Sequence, residues 1–280
     1  MTRPRVLITG GSMGIGRAVA EELAGAGMEL VLVARGEAEL EATLAALPGE
    51  GHKVHAFDVS DEDAWAEVAA DLDRLHGLVT AAGVLEPVGP IGTYPPSGFR
   101  RAIEINLFGT LLAVHHCLPA LRAAGGAVVT FSGGGATGPL PRYDAYAASK
   151  AAVVRLTENL ASELAADGVR ANAVAPGFVA TRIHEATLAA GPATVGADYF
   201  ARTERDLAEG GVPASEAAQL VRLLLDPEAA PFSGKLLSAQ WDPWREPDFR
   251  ARLAAEPDLA TLRRIDDVFF TAVTDTAGAK

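Results

Sequence analysis

Tyr146 and Lys150 are the side chains whose types and spacing best suit chemistry. Four residues apart on a helix, they share a face, so the ammonium sits near the phenol. A neighbouring positive charge favours phenolate and lowers a tyrosine pKa from about 10 towards working pH, as a general acid/base requires. A bare Y-x-x-x-K spacing also arises by chance on helices, so its weight rests on what surrounds it.

A second cluster stands at the other end of the chain. Thr9–Gly16 reads TGGSMGIG and lies between a β-branched run and an Ala-rich helical stretch. Gly10, Gly14 and Gly16 permit a tight turn, and the backbone of Ser12, Met13 and Ile15 can then approach a pyrophosphate, which a helix amino terminus attracts through its free N–H groups and dipole. Glycines at strand-to-helix turns also serve geometry alone, so this cradle too needs its context.

Both clusters require a frame. Short β-branched runs at residues 5–9, 29–34, 53–57, 77–81, 127–131 and 169–174, with a late one at 235–238, alternate with Ala- and Leu-rich helical stretches. Strands without strict in/out alternation, separated by helices, predict a parallel sheet covered on both faces with right-handed crossovers. The expected fold is α/β: a doubly wound, Rossmann-like sheet in three α/β/α layers, forming a single domain. Long helices are expected at 97–121 and 143–165, the second ending before Asp167 and Gly168, where glycine supplies a left-handed cap. From about 183 to 213 the pattern weakens into Ala, Gly, Thr and Pro, which suits a lid over a site. After Trp241 a tail carries weak helical patterns at 248–255 and 259–270. Residues 1–240 are therefore read as the catalytic domain, and 241–280 as an extension packed on it or at a subunit interface. Trp241 and Trp244 either line the pocket or pin the tail to the body, the second reading being preferred.

The T-G-x-x-x-G-I-G turn, followed about 130 residues later by Y-x-x-x-K after a fifth strand, resembles the short-chain dehydrogenase/reductase family. In that family the tyrosine protonates a carbonyl oxygen during reduction and the lysine also holds the nicotinamide ribose hydroxyls. The resemblance gives those roles to Tyr146 and Lys150. Asn106 resembles the helix asparagine that anchors a water leading to the lysine, with a buried structural amide as the competing reading. Asp58 and Val59 resemble the pair at the adenine ring, although an Asp ending a strand is also a common helix cap. Ala82 and Gly83 resemble the small residues passing beside the cofactor. Pro176, Gly177, Val179 and Thr181 resemble the stretch that touches the nicotinamide end.

Dinucleotide folds that prefer NAD usually carry an acidic residue at the end of the second strand. Here Val33 and Ala34 lead into Arg35, whose guanidinium can pair with a 2′-phosphate. NADP(H) is favoured and NAD(H) remains possible, a solvated strand-end arginine being the plain alternative. Arg17 reads as a surface residue.

The chain departs from the family pattern twice. The position 13 residues before Tyr146, where the family places a serine that hydrogen-bonds the substrate oxygen, is Gly133. Ser132 is the nearest serine and is slightly preferred for that role; a backbone N–H, Thr137 or the substrate itself are the alternatives. Thr80 and Ala81 stand where the family usually has two asparagines, which implies altered sheet contacts with cofactor binding retained.

Composition narrows the function classes. A net charge of -12 repels nucleic acid and anionic membranes. Cys117 is the only cysteine, which excludes an internal disulfide and suits a reducing, cytoplasmic compartment. Neither a signal peptide nor a membrane span is expected. His115 and His116, adjacent on a helix, are expected to face different directions, and no metal is expected. The leading expectation is an NAD(P)-dependent oxidoreductase that reduces a ketone or oxidises a secondary alcohol, acting on a small-molecule carbonyl or alcohol as a homodimer or homotetramer built on the two long helices. Its rivals are a dinucleotide-binding sensor or scaffold with impaired catalysis, and imine reduction or epimerisation on the same scaffold.

Overall fold

Every β-branched run becomes a strand of one sheet in the computed structural model, which describes residues 3–263. The strands are β1 (Arg5–Thr9), β2 (Glu29–Ala34), β3 (Lys53–Ala56), β4 (Gly77–Thr80), β5 (Ala127–Phe131), β6 (Arg170–Ala175) and β7 (Leu236–Ser238). They pair in parallel in the order β3-β2-β1-β4-β5-β6-β7. The order reverses between β1 and β4, and ligands of such sheets bind in the crevice beyond the carboxyl ends at that switch point.

The apolar runs lack alternation because both faces are covered. Along β1, Val6 and Ile8 enter one core while Leu7 enters the other; along β2, Leu30 and Leu32 oppose Val31 and Val33 in the same way. The first core is closed by α1 (Gly14–Gly25), by α2 (Glu37–Ala46) and by α9 (Ala214–Leu225); the second by α3 (Glu62–Ala70), α5 (Gly109–Ala124) and α6 (Asp144–Glu163). Each fully buried Leu or Val contributes about 1.5–3 kcal/mol through removal from water.

Several expectations are corrected in detail. The helix expected at 97–121 is α4 (Pro96–Ile103), a π turn at Glu104–Phe108, and α5. The run Pro96–Ala124 is long and apolar enough on length and composition to cross a membrane. Its inward stripe, Ala113, Val114, Cys117, Ala120 and Leu121, packs on the sheet, as in a core helix. The weakly patterned segment 183–213 folds into α7 (Glu185–Val195), kinked at Gly191 and Pro192, and α8 (Ala197–Ala208). Composition hid these helices because Gly and Pro interrupt the period at the kink itself.

Beyond β7, Trp244 is 3% exposed and donates its Nε1–H to Ala239 O at 3.0 Å, so it pins the tail, whereas Trp241 is 78% exposed. The tail forms α10 (Pro247–Ala255) and then crosses β7. Buried Lys235 donates to the carbonyls of Glu256, Pro257 and Leu259 at 2.7–2.9 Å, and Leu236 N–H donates to Ala260 O at 2.7 Å. The helix expected at 259–270 is turn and loop as far as Arg263; the rest lies outside the described residues.

Candidate active site

The glycine turn is built by contacts that exclude side chains. Gly10 adopts φ +68° and its N–H donates to Val33 O at 2.7 Å; a Cβ there would lie 2.9 Å from Ala82 N. The turn after β1 thus presses on the strand end carrying Ala82 and Gly83. A Cβ on Gly16 would lie 2.7 Å from the Gly10 carbonyl carbon, a backbone clash with no relief. Helix α1 begins without a capping side chain at Met13, so the first-turn N–H groups of Gly14, Ile15 and Gly16 are offered to the crevice. A cradle closed to side chains and rich in free amides fits a dinucleotide pyrophosphate. Thr181 reaches the same turn: its Cγ2 would lie 3.1 Å from a Cβ on Gly14. Residues 167 positions apart therefore meet, as the motif spacing alone did not require. Pro176 and Val179, shortly before Thr181 in the chain, are buried, and Gly177 takes φ +79°.

Arg35 is exposed at the carboxyl end of β2 and lines a cavity of about 270 Å³ whose walls include Val84, Glu86, Pro87, Arg101 and Ile105. Asp58 does not cap a helix; Asp61 caps α3, accepting from Ala64 N–H at 3.2 Å. Asp58 instead accepts from the Ser60 N–H at 3.0 Å and hydroxyl at 2.7 Å and pairs with Arg101. Burial works against its charge, but those hydrogen bonds and the guanidinium prevail and hold its carboxyl below the usual range. Arg101, on α4, is a residue that sequence reasoning missed: nothing in its spacing links it to Asp58, 43 positions away. The amino end of α2 carries Glu37 and Glu39, and the Glu39 carboxyl folds over Gly36, next to Arg35.

At the other end of the crevice Tyr146, Lys150 and Asn106 converge. Lys150 is 6% exposed and its Nζ donates to Phe131 O at 2.9 Å, 5.8 Å from the centre of the Tyr146 ring. A Cβ on Gly83 would lie 3.2 Å from Asn106 Oδ1 and 3.7 Å from Lys150 Nζ, so these three stand together. Asn106, inside the π turn, donates to Val84 O and Ser149 Oγ at 2.9 Å each, and its Oδ1 accepts from Val84 N–H at 2.8 Å. Both amide hydrogens are engaged in tying α5 to the strand end and to α6, and Oδ1 keeps one lone pair for a further donor. Pi turns recur at functional sites because they displace one side chain from the helical register.

The expected electrostatics of the pair are reversed. Burial, with a smaller contribution from Tyr199, pushes the Tyr146 phenol up to about 12, while burial pulls Lys150 down to about 8. The ammonium is aimed at a carbonyl, so desolvation outweighs its pull on the phenol.

Ser132 is 3% exposed and its N–H donates to Val174 O at 2.8 Å, continuing the sheet ladder. The position facing Tyr146 is 133: a Cβ on Gly133 would lie 2.8 Å from Tyr146 Cζ and closer still to its hydroxyl. Neighbouring strand positions project to opposite faces, so the Ser132 side chain leaves on the side away from the phenol. Thr137 is exposed on the loop beyond. Thr80 leaves a mark of its own, since its buried hydroxyl has no hydrogen-bond partner. His115 is exposed and His116 half-buried, with their rings edge to face at 5.0 Å; among the described residues no group of three His, Cys, Asp or Glu side chains could hold a metal ion.

The geometry agrees with what the chain is similar to. Residues 4–190 match the family model described as short chain dehydrogenase. Cis-4-hydroxycyclohexanecarboxylate dehydrogenase of Sinomonas cyclohexanicum is 39% identical over 70% of this chain and 80% of its own. Levodione reductase of Leifsonia aquatica is 36% identical over 64% of this chain and 71% of its own. A crystal structure of levodione reductase superposes with a TM-score of 0.76 at 30% identity, covering 85% of this chain and 96% of that one. Actinorhodin polyketide ketoreductase with NADPH gives 0.73 at 27% identity, covering 84% and 95%. With its glycine turn, its convergent Tyr, Lys and Asn, and a family match across most of the sheet, this chain belongs to the short chain dehydrogenase family of NAD(P)(H)-binding oxidoreductases.

Proposed function

We propose that the chain is an NADP(H)-dependent reductase of a ring ketone, or a dehydrogenase of the matching secondary alcohol. The observation that carries this reading is the meeting of Tyr146, Lys150, Asn106 and Gly83 beyond the carboxyl ends of β4 and β5, beside an uncapped glycine turn. Gly10, Ser12, Met13, Gly14, Ile15 and Gly16 would hold the pyrophosphate, Arg35 the 2′-phosphate, Asp58, Val59 and Ala82 the adenine end, and Lys150 with Pro176, Gly177, Val179 and Thr181 the nicotinamide end. When bound, the nicotinamide supplies or accepts the hydride. Tyr146 gives its proton to the carbonyl oxygen in reduction and recovers it in oxidation. Lys150, titrating at about 8, is mainly an ammonium at neutral pH and offsets the charge that develops on the phenol. Asn106 holds the helix turn and strand end that fix this spacing.

The substrate walls are Leu85, Val88, Leu140, Tyr143, Ile183 and Phe200, apolar groups that pack around Tyr146 and exclude water from the reacting oxygen. They suit an alicyclic substrate, and the first relative's name itself specifies a hydroxylated six-membered ring. Helices α7 and α8 serve as the lid, residues 241–263 as an extension closing the sheet edge, and the exposed Phe108 and Leu111 on the π turn and α5 as part of a homodimer or homotetramer contact. The reducing cytoplasm suits the single, buried Cys117.

A second reading, NAD(H), draws on the Glu39 carboxyl at the amino end of α2, which would repel a 2′-phosphate. Calorimetric titration with NADPH and NADH side by side separates the two. NADPH is expected to bind more tightly, and Arg35→Ala to narrow that ratio; equal or tighter NADH binding overturns the phosphate assignment. Turnover of cyclohexanones that survives Tyr146→Phe overturns the proton assignment.

A further inference from the structure

The missing serine leaves the site short of a second hydroxyl for the substrate oxygen, and the neighbourhood of Tyr146 suggests where it comes from. The chain has four tyrosines. Tyr94 donates to Asp144 Oδ2 at 2.9 Å, and the Tyr143 hydroxyl is paired with Thr187 at 2.9 Å. Of the four, only Tyr146 and Tyr199 have hydroxyls with no hydrogen-bond partner among the described residues. Those two rings pack in the same cluster, around Leu85, Tyr143 and Val195.

Tyr199 is fixed there by two neighbours. Its ring lies 5.0 Å from that of Tyr143, tilted by 44°, and the Arg202 guanidinium sits 5.2 Å from its centre, one turn along α8. It is also close enough to Tyr146 to help push the Tyr146 phenol up. A Cβ on Gly133 would meet the phenol where it lies, and the glycine offers no hydroxyl of its own, so position 133 supplies no second donor.

We infer that Tyr199, carried by the lid helix α8, is a catalytic residue that donates its hydroxyl to the substrate oxygen in place of the absent serine, while Gly133 provides the socket for Tyr146. The inference rests on the reductase reading of the same site. It ties the second donor to the lid, so the oxygen is gripped from both sides only when α8 is packed down. Two donors aimed at one oxygen stabilise the charge that develops there, and loss of one such donor typically lowers kcat about 10²–10³-fold.

The test compares wild type, Tyr199→Phe and Tyr146→Phe with NADPH and cyclohexane-1,4-dione. Tyr199→Phe keeps the ring on Tyr143 and removes only the hydroxyl. A fall in kcat of about 10²-fold or more, with KM for NADPH and melting temperature unchanged, supports the inference. A Tyr199→Phe kcat within about threefold of wild type, while Tyr146→Phe is inactive, overturns it and leaves the reductase reading standing. A fall confined to KM overturns it too, since it assigns Tyr199 to substrate fit. If wild type transfers no hydride to any ketone in the cyclohexanone series, the reductase reading and this inference fall together.

Discussion

Restoring the family's serine at position 133 is expected to harm this protein. In Gly133→Ser the new Cβ would stand 2.8 Å from Tyr146 Cζ and 3.0 Å from Cε1, with the hydroxyl nearer still. Ordinary carbon contacts lie at about 3.5–4.0 Å, so the ring must retreat by roughly 1 Å and its hydroxyl by more. The phenol is the end of a side chain, so the fold yields at modest cost: an off-rotamer tyrosine costs about 0.5–1.5 kcal/mol, a Tm fall of about 1–3 °C at this chain length. Activity is more sensitive, because a misplacement of about 1 Å costs on the order of 10²-fold in rate. Gly133→Ala carries the same Cβ without the hydroxyl and separates steric from chemical effects. Both variants are expected to lose kcat together, measured by NADPH oxidation with a cyclic ketone, alongside a thermal melt. A Ser variant with raised kcat and an unchanged Tm would refute the socket and return the oxygen-binding role to position 133.

Two further outcomes follow from buried ammonium groups. Folding lowers the Lys150 pKa to about 8 from 10.5, so between those values the unfolded chain binds more protons and stability rises with pH. Chemical denaturation from pH 7.5 to 10.5 is expected to show wild type gaining on Lys150→Met by on the order of 3 kcal/mol, and parallel profiles would contradict the burial argument. Lys235→Met removes the donor shared by three tail carbonyls, Glu256, Pro257 and Leu259, and keeps the apolar stem. A loss of about 2–3 kcal/mol, with faster proteolysis between α10 and Arg263, is expected; unchanged cleavage would show that Trp244 alone holds the tail.

The sequence by itself determined the sheet and the cradle, because both are written in local terms. A strand buried on two faces must be continuously apolar, and a strand-to-helix turn over phosphate must be glycine where the backbone touches itself, as at Gly10 and Gly16. It also determined that Tyr146 and Lys150 share a face, since four residues make one helical turn. What it could not decide were the properties that depend on neighbours distant in the chain. The direction of the Tyr146 pKa shift is set by burial under the lid, and by a lysine aimed at Phe131 O in place of the phenol. Position 133 rather than 132 faces the phenol because the ladder to β6 fixes which side each residue takes. Arg101 joins Asp58, Tyr199 joins Tyr146, and Lys235 grips the tail, through packing that no spacing records. Periodicity reports which face of an element is buried; only the assembled structure reports against what.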